Sequence, residues 1–220
     1  KGISFFDLKE PRFELIDKNF DCVIICAAIT NISECEQKPA ESEKINVTNT
    51  IKLIDNAIAN DSFVVFLSSN TVFDGTKSFY KHTDKTSPKN QHGKFKNSVE
   101  EYIKNYKNAC VIRLTKVISK NAPIIKHWEN ELSQGMVIRA YTNKFLSPVS
   151  IASVVASILI LINSKQSGIF QLGGSEEVSY FKFAQFYFKG SPNLLKLIKA
   201  EKDNINTNSI KFNSLKTYLP

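Results

Sequence analysis

His92 and Lys96 stand four residues apart in Asn90-Gln91-His92-Gly93-Lys94-Phe95-Lys96, so on a helix they share a face. An imidazole beside an ammonium is a candidate for proton transfer. Histidine titrates near ~6.5, and a neighbouring cation pushes that lower. Asn90 is of the type that caps a helix start and marks the first turn. Upstream, Ser68-Ser69-Asn70 places three small polar groups at the end of Phe63-Val64-Val65-Phe66-Leu67. That continuous run of aromatic and β-branched residues has the pattern of a strand buried on both faces of a parallel sheet. In open α/β sheets ligands bind beyond the carboxyl ends of such strands. Hydroxyl, imidazole and amine are therefore expected at one end of a sheet.

The flanking segments must build that sheet. Asp21 to Ala28 reads as a buried strand, and Glu41 to Ala59, with Ile45, Ile51, Ile54 and Ile58, as a helix. A helix from about Asn90 to Tyr106 and a strand from Ala109 to Leu114 follow. Ile3 to Leu8 is expected to be a short strand and Arg12 to Lys18 a brief helix. Strands alternating with helices predict an α/β fold with a doubly wound parallel sheet. Further on, Asn121-Ala122-Pro123 opens a helix that Gly135 closes, and Met136 to Ala140 is strand-like. Ile151 to Asn163 reads as a buried helix, Gly168 to Leu172 as a strand, and Tyr180 to Phe188 as an aromatic helix.

Composition narrows the function classes. The 220 residues are 42% hydrophobic and 23% charged, ordinary for a globular protein with a sizeable core. The net charge of +8 is a spread lysine excess without a basic stripe interleaved with aromatics, so nucleic acid is not an expected partner. No apolar run spans a bilayer, and no signal peptide is visible, so a cytoplasmic protein without membrane association is expected. Cys22, Cys26, Cys35 and Cys110 form no framework, and His82, His92 and His127 show no metal-ligand spacing with them. Reduced structural thiols and no metal are expected, with Cys22 and Cys26 buried in their strand.

The stretch Ser68-Ser69, Val72-Phe73-Asp74-Gly75, Pro88, His92-Gly93-Lys94-Phe95-Lys96 resembles the extended short-chain dehydrogenases, and most closely the dTDP-4-dehydrorhamnose reductase branch. That branch has a strand ending Ser-Ser/Thr, a VFDG-like turn, a Pro-containing loop and a Tyr-Gly-x-x-Lys helix. His92 occupies the position of the catalytic tyrosine. The resemblance implies NAD(P)H-dependent reduction of a 4-keto nucleotide sugar in surface-polysaccharide biosynthesis. The alternative is a catalytically impaired relative that binds sugar nucleotide or NAD(P) as a binding or regulatory subunit. A homodimer is left open.

By the same resemblance, Ser69 and Asn70 are expected to meet the substrate, and Ser69, His92 and Lys96 to form the catalytic group. Lys96 would bind the nicotinamide ribose of NADPH or NADH. Asp7 and Leu8 resemble the pair that contacts adenine, and Ala27, Ala28 and Thr30 the small-residue loop that lets the cofactor approach the backbone. Asn46 falls where the family carries a structural helix asparagine, and Tyr80 matches a loop residue rather than the missing phenol. The expected organisation is a partial NAD(P)-binding Rossmann domain over 1–118 and a mainly substrate-binding region over 119–220. Residues 147–175 are expected to pack back on the sheet. No Gly-x-Gly-x-x-Gly turn is present, so the sequence is expected to be truncated at its N-terminus, with the strand at 21–28 left as an apolar edge.

Overall fold

A computed structural model describes residues 5–13, 20–204 and 210–220. Among them the chain forms β1 (Cys22–Ile25), α1 (Ile32–Gln37), α2 (Pro39–Glu43), α3 (Thr50–Ala59), β2 (Phe63–Ser69), α4 (Gln91–Ile103) and β3 (Ala109–Leu114). Then follow β4 (Val117–Ile118), α5 (Pro123–Ser133), β5 (Ile138–Tyr141), β6 (Phe145–Leu146), β7 (Val149–Ser150), α6 (Ile151–Ser164) and β8 (Gly168–Leu172). The last elements are β9 (Val178–Ser179), α7 (Tyr180–Tyr187), α8 (Pro192–Leu195) and β10 (Ile198–Glu201).

Strands β1, β2, β3 and β8 form a parallel sheet in that order, with Ile25 opposite Phe66, Phe66 opposite Val111, and Val111 opposite Ile169. The two-residue alternation of strand side chains divides its residues between two cores. Ile25, Val64, Phe66, Ala109 and Val111 pack against Leu53 and Ile54 of α3 and Val99 and Ile103 of α4. Phe63, Val65, Cys110, Ile112 and Phe170 pack against Val154 and Leu161 of α6 on the other face. Helices on both faces of a parallel sheet make this the doubly wound α/β fold that the sequence predicts. A third core gathers Trp128 and Leu132 of α5, Ile138 of β5, Phe183 of α7 and Ile198 of β10, the last strand pairing parallel with β5.

Several elements differ from expectation. Residues 5–8 carry no strand, and Ile3 and Ser4 lie outside the described residues, as does most of the expected helix at 12–18. Strand β1 stops at Ile25 and forms the edge of the sheet, so Ile24 is 42% exposed and Cys26, just beyond, is exposed as well. The helix expected from Glu41 starts at Pro39 and loosens into a π-helical turn at Lys44–Asn49 before α3. Helix α6 is not buried all round. Its apolar residues Ile151, Val155 and Leu159 recur every fourth position and face outward, because the sheet covers only one stripe of the helix.

Residues 210–218 run back across the molecule. Phe212 N–H donates to Gly75 O (3.1 Å), Lys216 N–H to Tyr80 O (2.8 Å), and Gln171 N–H to Tyr218 O (2.9 Å). Leu215 closes a small core with Val72, Phe73 and Tyr80.

Candidate functional site

The end of β2 is fixed from both sides. Ser68 is buried and donates to Glu100 Oε1 at 2.5 Å, and Glu100 in turn takes a bidentate pair from Arg113, with Nη2 to Oε2 at 2.6 Å. Both charges of that pair are almost fully buried, so each neutralises the other where water cannot. Ser69 then turns the chain: it caps a 3₁₀ turn at Asn70–Val72, its Oγ accepting from Thr71 N–H at 3.2 Å. With an acceptor lone pair used there, the Ser69 hydroxyl proton remains for a ligand oxygen, apart from a long contact to Asn70 Oδ1 (3.4 Å). The VFDG turn follows, with Gly75 at φ 68°, a left-handed conformation that favours glycine. Burial opposes ionisation of Asp74, but hydrogen bonds from Tyr80 and Thr76 outweigh it and hold the carboxyl below its ordinary range. Tyr80 stacks on Phe73 with ring centroids 4.3 Å apart and so is a buried packing residue.

Helix α4 is pressed against this turn. Asn90 caps it through Gly93 N–H (2.8 Å), and Gly93 lies so close to the turn that a Cβ there would sit 2.2 Å from Thr71 O. His92, one residue earlier, is 6% exposed; its Nδ1 lies 3.1 Å from Thr71 Oγ1, while its buried Nε2 has no hydrogen-bond partner among the described residues. Burial, and secondarily Lys96, lower its pKa from 6.5 to about 4. Lys96 extends beneath the strand end, donating from Nζ to Leu67 O (2.8 Å) with the Phe66 ring 4.5 Å away. Burial lowers its pKa to about 8, against the opposing pull of Glu100 and Cys26. At neutral pH the site thus holds a neutral imidazole and a charged amine.

The other expected residues are placed as follows. Ala27, Ala28 and Thr30 lie in the loop after β1, whose far end Asn46 clamps: its Oδ1 accepts from Ile29 N–H (2.8 Å) and its Nδ2 donates to Ile29 O (2.9 Å). Asn46 sits in the π-helical turn, so that turn is what aims the clamp. Cys26 is close enough to Lys96 for their charges to be coupled, which brings this loop to the end of α4. Asp7 is exposed and accepts from Lys9 N–H (2.8 Å), whereas Leu8 turns its side chain into the core and its carbonyl accepts from Asn49 Nδ2 (2.7 Å).

Beside the turn lies a cleft of about 470 Å³, lined among others by Thr71, Trp128, Arg139, Tyr141, Lys144 and Asn213. Asn70 reaches its wall, donating to Asn213 Oδ1 at 2.7 Å, and Asn213 donates to Phe145 O at 2.9 Å. Lys144 is paired with Asp203 (2.5 Å) and lies over the Tyr141 ring. Of the lining residues, the sequence motif flags none. The alternation in Ile138-Arg139-Ala140-Tyr141, apolar then polar, is the signal that Arg139 and Tyr141 point away from the core.

The model of the RmlD substrate-binding domain family matches residues 7–210. The chain belongs to this family. Among its relatives is a probable low-salt glycan biosynthesis reductase, Agl14, of Haloferax volcanii, 27% identical over 187 residues that make up 80% of this chain and 62% of that protein. The beta subunit of methionine adenosyltransferase 2 from Pongo abelii is 32% identical over 123 residues, 50% of this chain and 37% of that protein. The chain therefore spans less than two thirds of the length of either relative. A crystal structure of dTDP-4-dehydrorhamnose reductase from Bacillus anthracis in complex with NADP has the same fold, with TM-score 0.85 and 16% identity over 97% of this chain and 79% of that one. Within this family member, His92 sits in the first turn of α4, against Thr71 of the 3₁₀ turn.

Proposed function

We propose that the protein reduces the carbonyl of a 4-keto nucleotide sugar with NADPH or NADH, in the cytoplasm and for surface-polysaccharide assembly. The observation that carries this reading is that Ser69 caps the turn where β2 ends, His92 meets Thr71 of that turn, and Lys96 reaches Leu67 O in the strand just before it, with Thr71 also lining the 470 Å³ cleft. The residues present fit the nicotinamide end of such a cofactor: Lys96 is a buried cation, and Ala27 and Ala28 offer backbone with little side chain. When bound, the nicotinamide supplies hydride. Ser69 holds the carbonyl oxygen through its hydroxyl proton, turned from the long contact to Asn70 Oδ1, and Lys96, charged below about pH 8, binds the nicotinamide ribose. Arg139 faces the diphosphate from the cleft wall. The relative named as a glycan biosynthesis reductase, and the NADP bound in the Bacillus anthracis structure, support the assignment. Residues 1–118 form the cofactor side in this reading and 119–220 mainly the sugar side.

A second reading has its own observation. A histidine with pKa about 4 is neutral at physiological pH and a poor acid there, which suits a subunit that binds cofactor and sugar nucleotide without turnover. The relative named as a methionine adenosyltransferase subunit is in keeping with it.

The two separate in one experiment: NADPH oxidation with a 4-keto nucleotide sugar, beside calorimetric titration of NADPH. Turnover supports the reductase; tight binding with no turnover at any pH leaves the subunit. Because no glycine-rich turn for the pyrophosphate occurs in the 220 residues, their NADPH affinity is expected to be weaker than micromolar.

A further inference from the structure

Thr71 belongs to none of the catalytic roles given above, yet it meets His92 Nδ1 and lines the cleft. We propose that the Thr71 hydroxyl meets the carbonyl oxygen of the substrate, and that His92 acts through it as a positioning and proton-supplying residue. This rests on the reductase reading.

The geometry runs as a short chain. His92 is sealed at 6% exposure under Gly93 and the 3₁₀ turn, whereas Thr71 is half-buried and lines the cleft. Thr71 backbone is also held, its N–H donating to Ser69 Oγ at 3.2 Å, so the hydroxyls of Ser69 and Thr71 leave the same turn. The neutral imidazole carries one ring proton. On Nε2 that proton would be a buried donor with nothing to receive it. On Nδ1 it donates to Thr71 Oγ1 across 3.1 Å and leaves Nε2 a bare acceptor, the less costly orphan. Thr71 Oγ1 then accepts from His92, and its own proton is free to point into the cleft.

When bound, the cofactor would supply the hydride of the new C–H bond and be oxidised in doing so, while the electron pair of the C=O bond would move to oxygen. That oxygen takes the Thr71 hydroxyl proton. Thr71 Oγ1 takes the Nδ1 proton of His92 in its imidazolium form, which leaves the ring with its Nε2 proton; a new proton taken up at Nδ1 and release of the Nε2 proton then restore the resting tautomer. The carbonyl becomes an alcohol, and the net consumption is one hydride and one proton. Between turnovers the neutral His92 still orients Thr71 as a donor.

Two measurements test this on the full chain. In ¹⁵N imidazole spectra at pH 7.5, one of the three histidines, identified by its loss in His92→Gln, should carry its proton on Nδ1. Thr71→Val should lower turnover of a 4-keto nucleotide sugar with NADPH about 100-fold, and Thr71→Ser should keep it within a few-fold of wild type. A proton found on Nε2, or Thr71→Val turning over as fast as wild type, overturns the proposal. If wild type turns over and Thr71→Val equals it, this inference alone fails. If wild type binds NADPH and never turns over, the reductase reading fails and this one with it.

Discussion

Replacing His92 by glutamine should flatten the acid sensitivity of the fold. In the unfolded chain His92 titrates near 6.5, and in the folded protein near 4, because burial and Lys96 disfavour the imidazolium. The folded pKa is the depressed one, so the unfolded chain binds the proton first. Stability is fully present above about pH 6.5 and is lost as pH falls towards 4. A shift of about 2.5 units corresponds to roughly 3 kcal/mol when complete, and to about 2 kcal/mol at pH 5. At 6% exposure His92 has little solvent to soften that figure. With a urea slope of about 2–3 kcal/mol/M, the wild-type midpoint should drop by about 0.7–1 M between pH 7 and pH 5 on this account alone. The two proteins differ only at this side chain, so the difference between wild type and His92→Gln isolates the effect. Equal losses in the two, or an NMR titration of His92 near 6.5, would refute the sealed imidazole.

Three other outcomes follow from the same contacts. His92→Tyr should raise turnover by roughly 10²–10⁴-fold at pH 7.5, and wild-type turnover should climb about tenfold per unit as pH falls from 7.5 to 5.5, since imidazolium stays scarce above pH 4; a plateau below pH 6.5 in steady-state assays would contradict this. Glu100→Ala leaves Arg113 charged and buried without its partner and should cost about 3–5 kcal/mol in urea melts. Gly93→Ala puts a methyl 2.2 Å from Thr71 O, so α4 must move off the turn, at about 1–3 kcal/mol and with loss of the His92–Thr71 contact in the imidazole spectrum.

Much of the scaffold was legible because its signals are local. The run at Phe63–Leu67 and the cap at Asn90 place β2 and α4 to within a few residues, and with them the alignment of Ser69 with the His92–Lys96 face. Thr71 escaped, since a threonine one turn past a strand carries no pattern; only the packing of Gly93 brings it to His92. The apolar richness of α6 suggested burial all round, but hydrophobicity does not say how wide a stripe the sheet will cover. The depth of the His92 shift was hidden for a related reason. Adjacent charge was visible in the sequence, whereas desolvation, the larger cause, depends on how deeply the fold buries the ring.

The segment at 210–218 has a kinetic consequence. Asn70 and Asn213 meet across 143 residues, and Leu215 completes the core under Tyr80. Closing so long a loop is entropically expensive until both partner surfaces exist, so the cleft wall is expected to be the last part to form during synthesis. A nascent chain would already hold its four-stranded sheet while the cleft wall was still open. Pulse-labelled hydrogen exchange should find the amides of Phe212 and Lys216 protected later than those of Val64 and Val111.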